Sequence, residues 1–260
     1  PEIDTVVITT QHGTHARFVG EALAAGKNVF VEKPLCLNWA ELAEIETLYG
    51  EACKKSPRLL MVGFNRRFSP LVRTVKRLLD GTKEPRSIVM TVNAGAIPGD
   101  HWTQDEEAGG GRIAGEACHF IDLIRFIVGA PILDVHTAVM RRGDSSTPPD
   151  TVVITLSFAD GSLGVVNYFA NGHKDYPKER VEIFSGGKIL FLDNFRALSG
   201  YGWPGFKGES LWAQDKGHAE GAKCFLDALR RGGVSPIPFA EIIEVTKATL
   251  KAAGIEPAGE

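Results

Sequence analysis

Val29-Phe30-Val31-Glu32-Lys33-Pro34 reads as a short buried strand that ends on a lysine and a proline. In a parallel α/β sheet such strand ends line the ligand crevice. Only 28 residues precede Val29, and no G-x-G-x-x-G stands among them. That length is too short for a complete nucleotide-binding unit. Two readings follow: the segment is part of a dinucleotide-binding sheet, or the Lys33 strand serves another ligand.

Outward from this strand the pattern is regular. Residues 4–9 form a β-branched apolar run. Helical spacing follows over 15–25 through Phe18, Ala22 and Ala25, with Gly26 as a stop signal. Asn38 suits the N-cap of a helix over about 39–54, whose Leu42, Ile45 and Leu48 share a face. A further strand covers 59–63. Strand–helix–strand–helix–strand order implies parallel pairing. It resembles the second half of a Rossmann domain, whose first half would lie before Pro1.

After Pro70 the grammar changes. A helix is expected over 71–80, and strands over about 86–95, 132–141, 151–158, 162–169, 180–185 and 188–192. Ala159-Asp160-Gly161-Ser162 and Gly186-Gly187 read as hairpin turns. Helices are expected over 112–128, 215–231 and 239–253. The predicted fold is α/β plus α+β. A truncated Rossmann half with a parallel sheet (1–68) precedes an antiparallel open-faced sheet domain with helices on one face (69–214). Helices that pack back on these domains close the chain (215–260).

Lys and Arg number 29 against 32 Asp and Glu, a net charge of −3 that gives no electrostatic case for nucleic acid or an anionic membrane. No apolar run approaches the ~20 residues of a spanning helix. Cys36, Cys53, Cys118 and Cys224 are widely spaced without a C-x-x-C. They read as free thiols in a reducing cytoplasm, with no metal site.

Several residues could carry chemistry, each with a plainer alternative. Lys33 could donate to a substrate oxygen, or be a solvated loop lysine. Gly109-Gly110-Gly111 leads into a helix. At about 100° per residue, Glu116 stands about 60° from His119 on its wheel, as a carboxylate supporting a general base would. Alternatively His119 is half-buried and satisfied, and Glu116 pairs with Arg112. Thr10, His12 and His15 form a small polar loop at a strand-to-helix turn, suited to line a crevice. Two histidines three apart lack a nearby third metal ligand. Arg66 and Arg67 could hold a substrate carboxylate or phosphate, or serve interdomain salt bridges. Trp102, Lys216 and His218 lie in loop-like stretches that could touch a sugar or an acid.

Together these pieces resemble the Gfo/Idh/MocA oxidoreductases, the glucose–fructose oxidoreductase and inositol dehydrogenase family. The resemblance rests on Ile8-Thr9-Thr10 with His15-Ala16, and on Ala24-Ala25-Gly26-Lys27-Asn28 running into Val29 through Leu35. Val62 through Phe68, the triple glycine, and His119 through Asp122 complete it. Gly63 through Pro70, Gly115 through Asp122, Tyr168 through Gly172, and Asp215 through His218 resemble one subgroup in particular. In that subgroup the module follows a zinc-type alcohol dehydrogenase domain.

The resemblance implies NAD or NADP, bound mostly by residues before Pro1 and touched here by Thr10, His12, His15, Glu32, Lys33 and Pro34. It implies hydride transfer at a secondary hydroxyl or carbonyl of a sugar, cyclitol or nucleotide-sugar. Lys33 would meet the substrate oxygen, His119 would be the acid/base and Glu116 its support. Arg66, Arg67, Trp102, Lys216 and His218 would face the substrate. A homo-oligomer through the antiparallel sheet is also implied. The usual family pattern has an aspartate four residues before the histidine, where this chain has Gly115. That departure keeps a second reading open: a binding or assembly module that retains the fold without redox chemistry.

Overall fold

The structure, a computed structural model, describes residues 3–140 and 149–257. The chain forms two compact units. The first takes in the chain as far as Phe64, then Asp100–Cys118, then the chain from Ala219 onward. The second comprises Asn65–Gly99 and His119–His218.

In the first unit β1 (Thr5–Ile8), β2 (Asn28–Val31) and β3 (Leu60–Val62) form a parallel sheet in that order. Val29, Val31, Leu60, Met61 and Val62 are buried, which is why β2 and β3 read as continuous apolar runs. Helix α1 (His15–Ala24) joins β1 to β2. It ends on Gly26 at φ 68°, with Gly26 N–H donating to Leu23 and Lys27 N–H to Ala22, a Schellman cap. Helix α2 (Trp39–Lys55) joins β2 to β3. Asn38 Oδ1 accepts from Glu41 N at 2.9 Å while Glu41 Oε2 accepts from Leu37 N at 2.8 Å, so the helix start is satisfied from both sides.

Both terminal helices belong to this unit. The rings of Phe30 and Phe225 lie 5.5 Å apart, and Tyr49 stacks on Phe239 at 3.8 Å. Phe225 sits in α5 (His218–Arg231), which starts at the last residue of the second unit, and Phe239 opens α6 (Phe239–Ala252). Trp39 Nε1 donates to Ile255 O at 2.7 Å and closes the same contact.

The second unit is built on one eight-stranded sheet. Its strands are β4 (Ser87–Asn93), β5 (Ile132–Val139), β6 (Thr151–Phe158), β7 (Leu163–Phe169), β8 (Glu179–Ser185), β9 (Lys188–Asp193), β10 (Ala197–Tyr201) and β11 (Gly208–Ser210). The order is β11-β10-β9-β8-β4-β7-β6-β5. Every pair is antiparallel except β4–β7, which is parallel. Ile88, Met90, Val92, Val166, Tyr168, Val181 and Ile183 are buried, while Glu182 and Phe184 on the opposite face are exposed. Phe120 of α4 (Cys118–Val128) packs against Tyr168 with ring centroids 6.1 Å apart, which sets the helix on the buried face. Helix α3 (Pro70–Leu79) buries Leu71, Val72, Val75 and Leu79.

Three features differ from the sequence expectation. The stretch expected as one helix over 112–128 is a π-helical turn at Ile113–Ala117 followed by α4. The division of the chain is not linear: Asp100–Cys118 packs with the parallel sheet instead of the eight-stranded one. Finally, β10 and β11 were not anticipated. Leu198 is the one fully buried side chain of β10, and all three residues of β11 are exposed, so neither carries a readable apolar pattern. The expected strand 132–141 ends on Arg141, which lies outside the described residues.

Candidate functional site

A group of polar residues follows the carboxyl ends of β1 and β2 in the first unit. After β1 the chain turns through Thr10 and a 3-10 turn at His12–Thr14 into α1. The buried His15 ring bridges the two strand ends. Its Nδ1 lies 2.7 Å from Pro34 O and its Nε2 lies 3.0 Å from Thr10 O. Thr10 and Thr14 share a hydroxyl contact at 2.6 Å. The Lys33–Pro34 peptide is cis. Glu32 is half-buried and receives a long contact from Lys33 N at 3.4 Å.

The glycine-rich segment docks on these strand ends through three hydrogen bonds. Gly13 N donates to Ala108 O at 3.0 Å, His12 Nδ1 to Gly109 O at 2.9 Å, and Lys33 Nζ to Gly115 O at 2.8 Å. Gly13 permits this approach, since a Cβ there would stand 2.1 Å from Glu107 O. The carbonyl partner can only accept, so Nδ1 carries the His12 proton and Nε2 the lone pair. Burial pushes His12 down to about 4, against the Gly109 bond and with help from the nearby Lys33 charge. Its imidazole is therefore neutral at ordinary pH. Trp102 lies edge-on to it, with centroids 4.7 Å apart, and keeps 37 % of its surface exposed.

Gly115 is the meeting point. Its carbonyl receives Lys33, and a Cβ on it would stand 2.8 Å from His12 Cε1 and 3.0 Å from Nδ1. The His12 ring fills the space in which a side chain at 115 would begin. The aspartate expected there by resemblance has no room in this chain. Glu116 pairs with Arg112 Nη2 at 3.4 Å. The α-helical wheel that set Glu116 beside His119 does not hold through the π turn, which has more residues per turn.

The second unit engages three of the expected site residues in charge pairs. Arg66 binds Glu179 through both Nε (2.7 Å) and Nη2 (2.8 Å), and Lys216 Nζ reaches the same carboxylate at 2.6 Å. Burial works to raise Glu179, but the Arg66 guanidinium and the Lys216 ammonium outweigh it and hold the carboxyl below its ordinary value. Arg67 holds the buried Asp122 at 3.1 Å and 2.5 Å. Each pair lies within the second unit. Lys216 shares the Glu179 carboxylate with Arg66, so all three expected substrate residues stand in charge pairs. Glu179 and Asp122 are the partners sequence reasoning missed. His218, the first residue of α5, is exposed. His119 is buried on α4, its ring centroid 6.4 Å from that of Phe120.

Among the described residues there is no cluster of three metal-ligating side chains, and no helix is long and apolar enough to cross a membrane. Two models of one family match the chain. "Oxidoreductase family, NAD-binding Rossmann fold" covers residues 1–64, and "GFO/IDH/MocA C-terminal domain" covers 72–188. The myo-inositol 2-dehydrogenase of Thermotoga maritima is 30% identical over 206 residues, 75% of this chain and 58% of that protein. The scyllo-inositol 2-dehydrogenase (NAD(+)) of Bacillus subtilis is 33% identical over 204 residues, 75% of this chain and 57% of that protein. The chain thus spans less than two thirds of these two relatives. A solved levoglucosan dehydrogenase, in complex with NADH and levoglucosan, shares the fold with a TM-score of 0.80 at 23% identity, over 98% of this chain and 79% of that one. The NAD-binding description falls on the residues that carry Lys33 and its neighbours, and the second description falls on most of the eight-stranded sheet unit. The chain belongs to the Gfo/Idh/MocA oxidoreductase family.

Proposed function

We propose that the protein is an NAD(P)-dependent oxidoreductase that acts at a secondary hydroxyl or carbonyl carbon of a cyclitol or sugar. One observation carries this reading. The Lys33 ammonium stands at the carboxyl end of β2, in the segment that matches an NAD-binding family, and is held on the Gly115 carbonyl. Strand carboxyl ends are where parallel α/β sheets bind their ligands. The fit to a dinucleotide rests on the same loops, where Thr10 is exposed and Glu32 half-buried. When bound, the nicotinamide supplies the hydride-transfer chemistry.

The chain's own residues have separable roles. Lys33 donates to the substrate oxygen and stabilises negative charge as it develops there. It exchanges its bond to the Gly115 carbonyl for that oxygen. His119 takes the hydroxyl proton in the oxidative direction and returns it in the reductive one. Arg112 already neutralises Glu116, so the latter has a weaker role than an unpaired carboxylate would. Trp102 offers a partly exposed indole to the apolar face of a ring.

The named relatives include inositol dehydrogenases and the levoglucosan enzyme, so the test panel is myo-inositol, scyllo-inositol, levoglucosan and a UDP-hexose, each with NAD and with NADP. Growth of the reduced-nicotinamide absorbance with one member supports the reading. Cofactor binding without turnover across the panel favours the binding-module alternative.

A further inference from the structure

Resting on that reading, we propose that His12 determines substrate specificity: its Nε2 accepts a hydrogen bond from a second free hydroxyl of the ring, next to the oxygen that Lys33 addresses. The inference starts from the tautomer. Nδ1–H is used by Gly109 O at 2.9 Å, so Nε2 is an acceptor. Among the described residues it has no hydrogen-bond partner, and it is not one of the sealed polar atoms. The ring is otherwise fixed. Trp102 lies at 4.7 Å and His15 at 5.8 Å between centroids, and the Gly115 backbone stands beneath its edge. An acceptor locked in place near an ammonium held only by a carbonyl, and beside a partly exposed indole, matches a polyol. Such a ligand offers one oxygen to the amine, one hydroxyl proton to the imidazole, and a C–H face to the indole.

This chemistry sets a class. Nε2 without a proton accepts from a hydroxyl but repels a carbonyl or ether oxygen in the same place. Substrates with a free hydroxyl neighbouring the reacting carbinol are favoured, and analogues deoxygenated or O-methylated there are rejected. The depressed basicity of His12 keeps it in the accepting form through the neutral range.

Two substitutions separate this role from simple loop pinning. His12→Asn can still donate to Gly109 from its amide but has nothing at the Nε2 position. His12→Gln places a carboxamide oxygen near Nε2 and loses the Gly109 bond. Steady-state kinetics are run with the panel member that wild type turns over and with its neighbouring-deoxy analogue. For His12→Asn the inference expects KM raised at least about tenfold with kcat within about threefold, and a collapse of the preference for the hydroxylated substrate. His12→Gln should retain that preference while melting at a lower temperature. The opposite pattern, with Asn like wild type and Gln losing the preference, overturns the inference and leaves the oxidoreductase reading intact. A His12→Asn protein that fails to fold also assigns the residue to pinning and overturns it. A wild type inert toward the whole panel removes the underlying reading and this inference with it.

Discussion

The Lys33 ammonium donates to the carbonyl oxygen of Gly115 at 2.8 Å, across 82 residues of sequence. The bond joins the end of β2 to the π turn, and among the described residues the cation it holds has no carboxylate partner. A carbonyl is a weaker anchor for an ammonium than an ionised acid. The amine is held in place but can be released to a ligand oxygen.

Replacement of Lys33 by alanine is expected to lower kcat by about 10²–10³, the cost of removing one donor to a developing oxyanion. Cofactor affinity, measured by calorimetry, should stay within about threefold, because the lost group addresses the substrate. Cofactor affinity lost in step with turnover would move Lys33 into the dinucleotide site instead.

Gly115→Asp should not create a catalytic carboxylate. Its Cβ would stand 2.8 Å from His12 Cε1, and that ring is held by Gly109, Trp102 and His15. Overpacking of this kind costs about 1–3 kcal/mol. Chemical denaturation should show the loss, and turnover should fall together with the Lys33–Gly115 bond. A variant as stable and as active as wild type would mean that the His12 ring yields freely.

Glu179 links the stability of the second unit to pH. Its folded-state pKa is lowered, so the stability it contributes is present above the ordinary carboxylate range and is lost as pH falls through the folded value. Urea midpoints should drop through that acid range, and the drop should be smaller in Glu179→Gln. Arg66→Ala leaves a buried carboxylate with Lys216 alone and should cost about 3–5 kcal/mol at neutral pH. A midpoint unchanged from wild type would show that Lys216 and water suffice.

Cys36 is buried, and burial drives its thiol well above the ordinary range, with the Glu41 charge adding to the shift. Thiol-specific reagents should modify Cys53 and Cys224, which are partly exposed, well before Cys36 in the folded protein. Cys36 should react only on unfolding. Peptide mapping after a timed pulse reads this directly, and early labelling of Cys36 would contradict its burial.

The parallel sheet was legible because buried parallel strands are short continuous apolar runs, and because Asn38 and Gly26 mark the adjoining helix ends through side-chain and backbone chemistry. The strands β6 through β9 were legible for a different local reason, since a strand with one face buried alternates apolar and polar side chains. The fate of Arg66 and Arg67 was not. Their partners Glu179 and Asp122 lie 113 and 55 residues away, and Glu179 sits in a run that reads like any polar strand start. The π turn was equally hidden, since its residues Ile-Ala-Gly-Glu-Ala suit an α-helix as well. The place of His12 against Gly115 depends on how the 100–118 segment docks, which no local pattern encodes. The absent side chain at 115 was visible in the sequence, but its physical complement was not.

The most direct measurement of the central claim follows reduced-nicotinamide absorbance with the polyol and sugar panel, for the full-length protein and its Lys33→Ala variant side by side, with cofactor binding determined calorimetrically on both. The account predicts that wild type converts at least one panel member, while Lys33→Ala binds the cofactor comparably and turns over at least about a hundredfold more slowly. A wild type that binds the cofactor and converts nothing, or a Lys33→Ala protein that turns over at the wild-type rate, would contradict it.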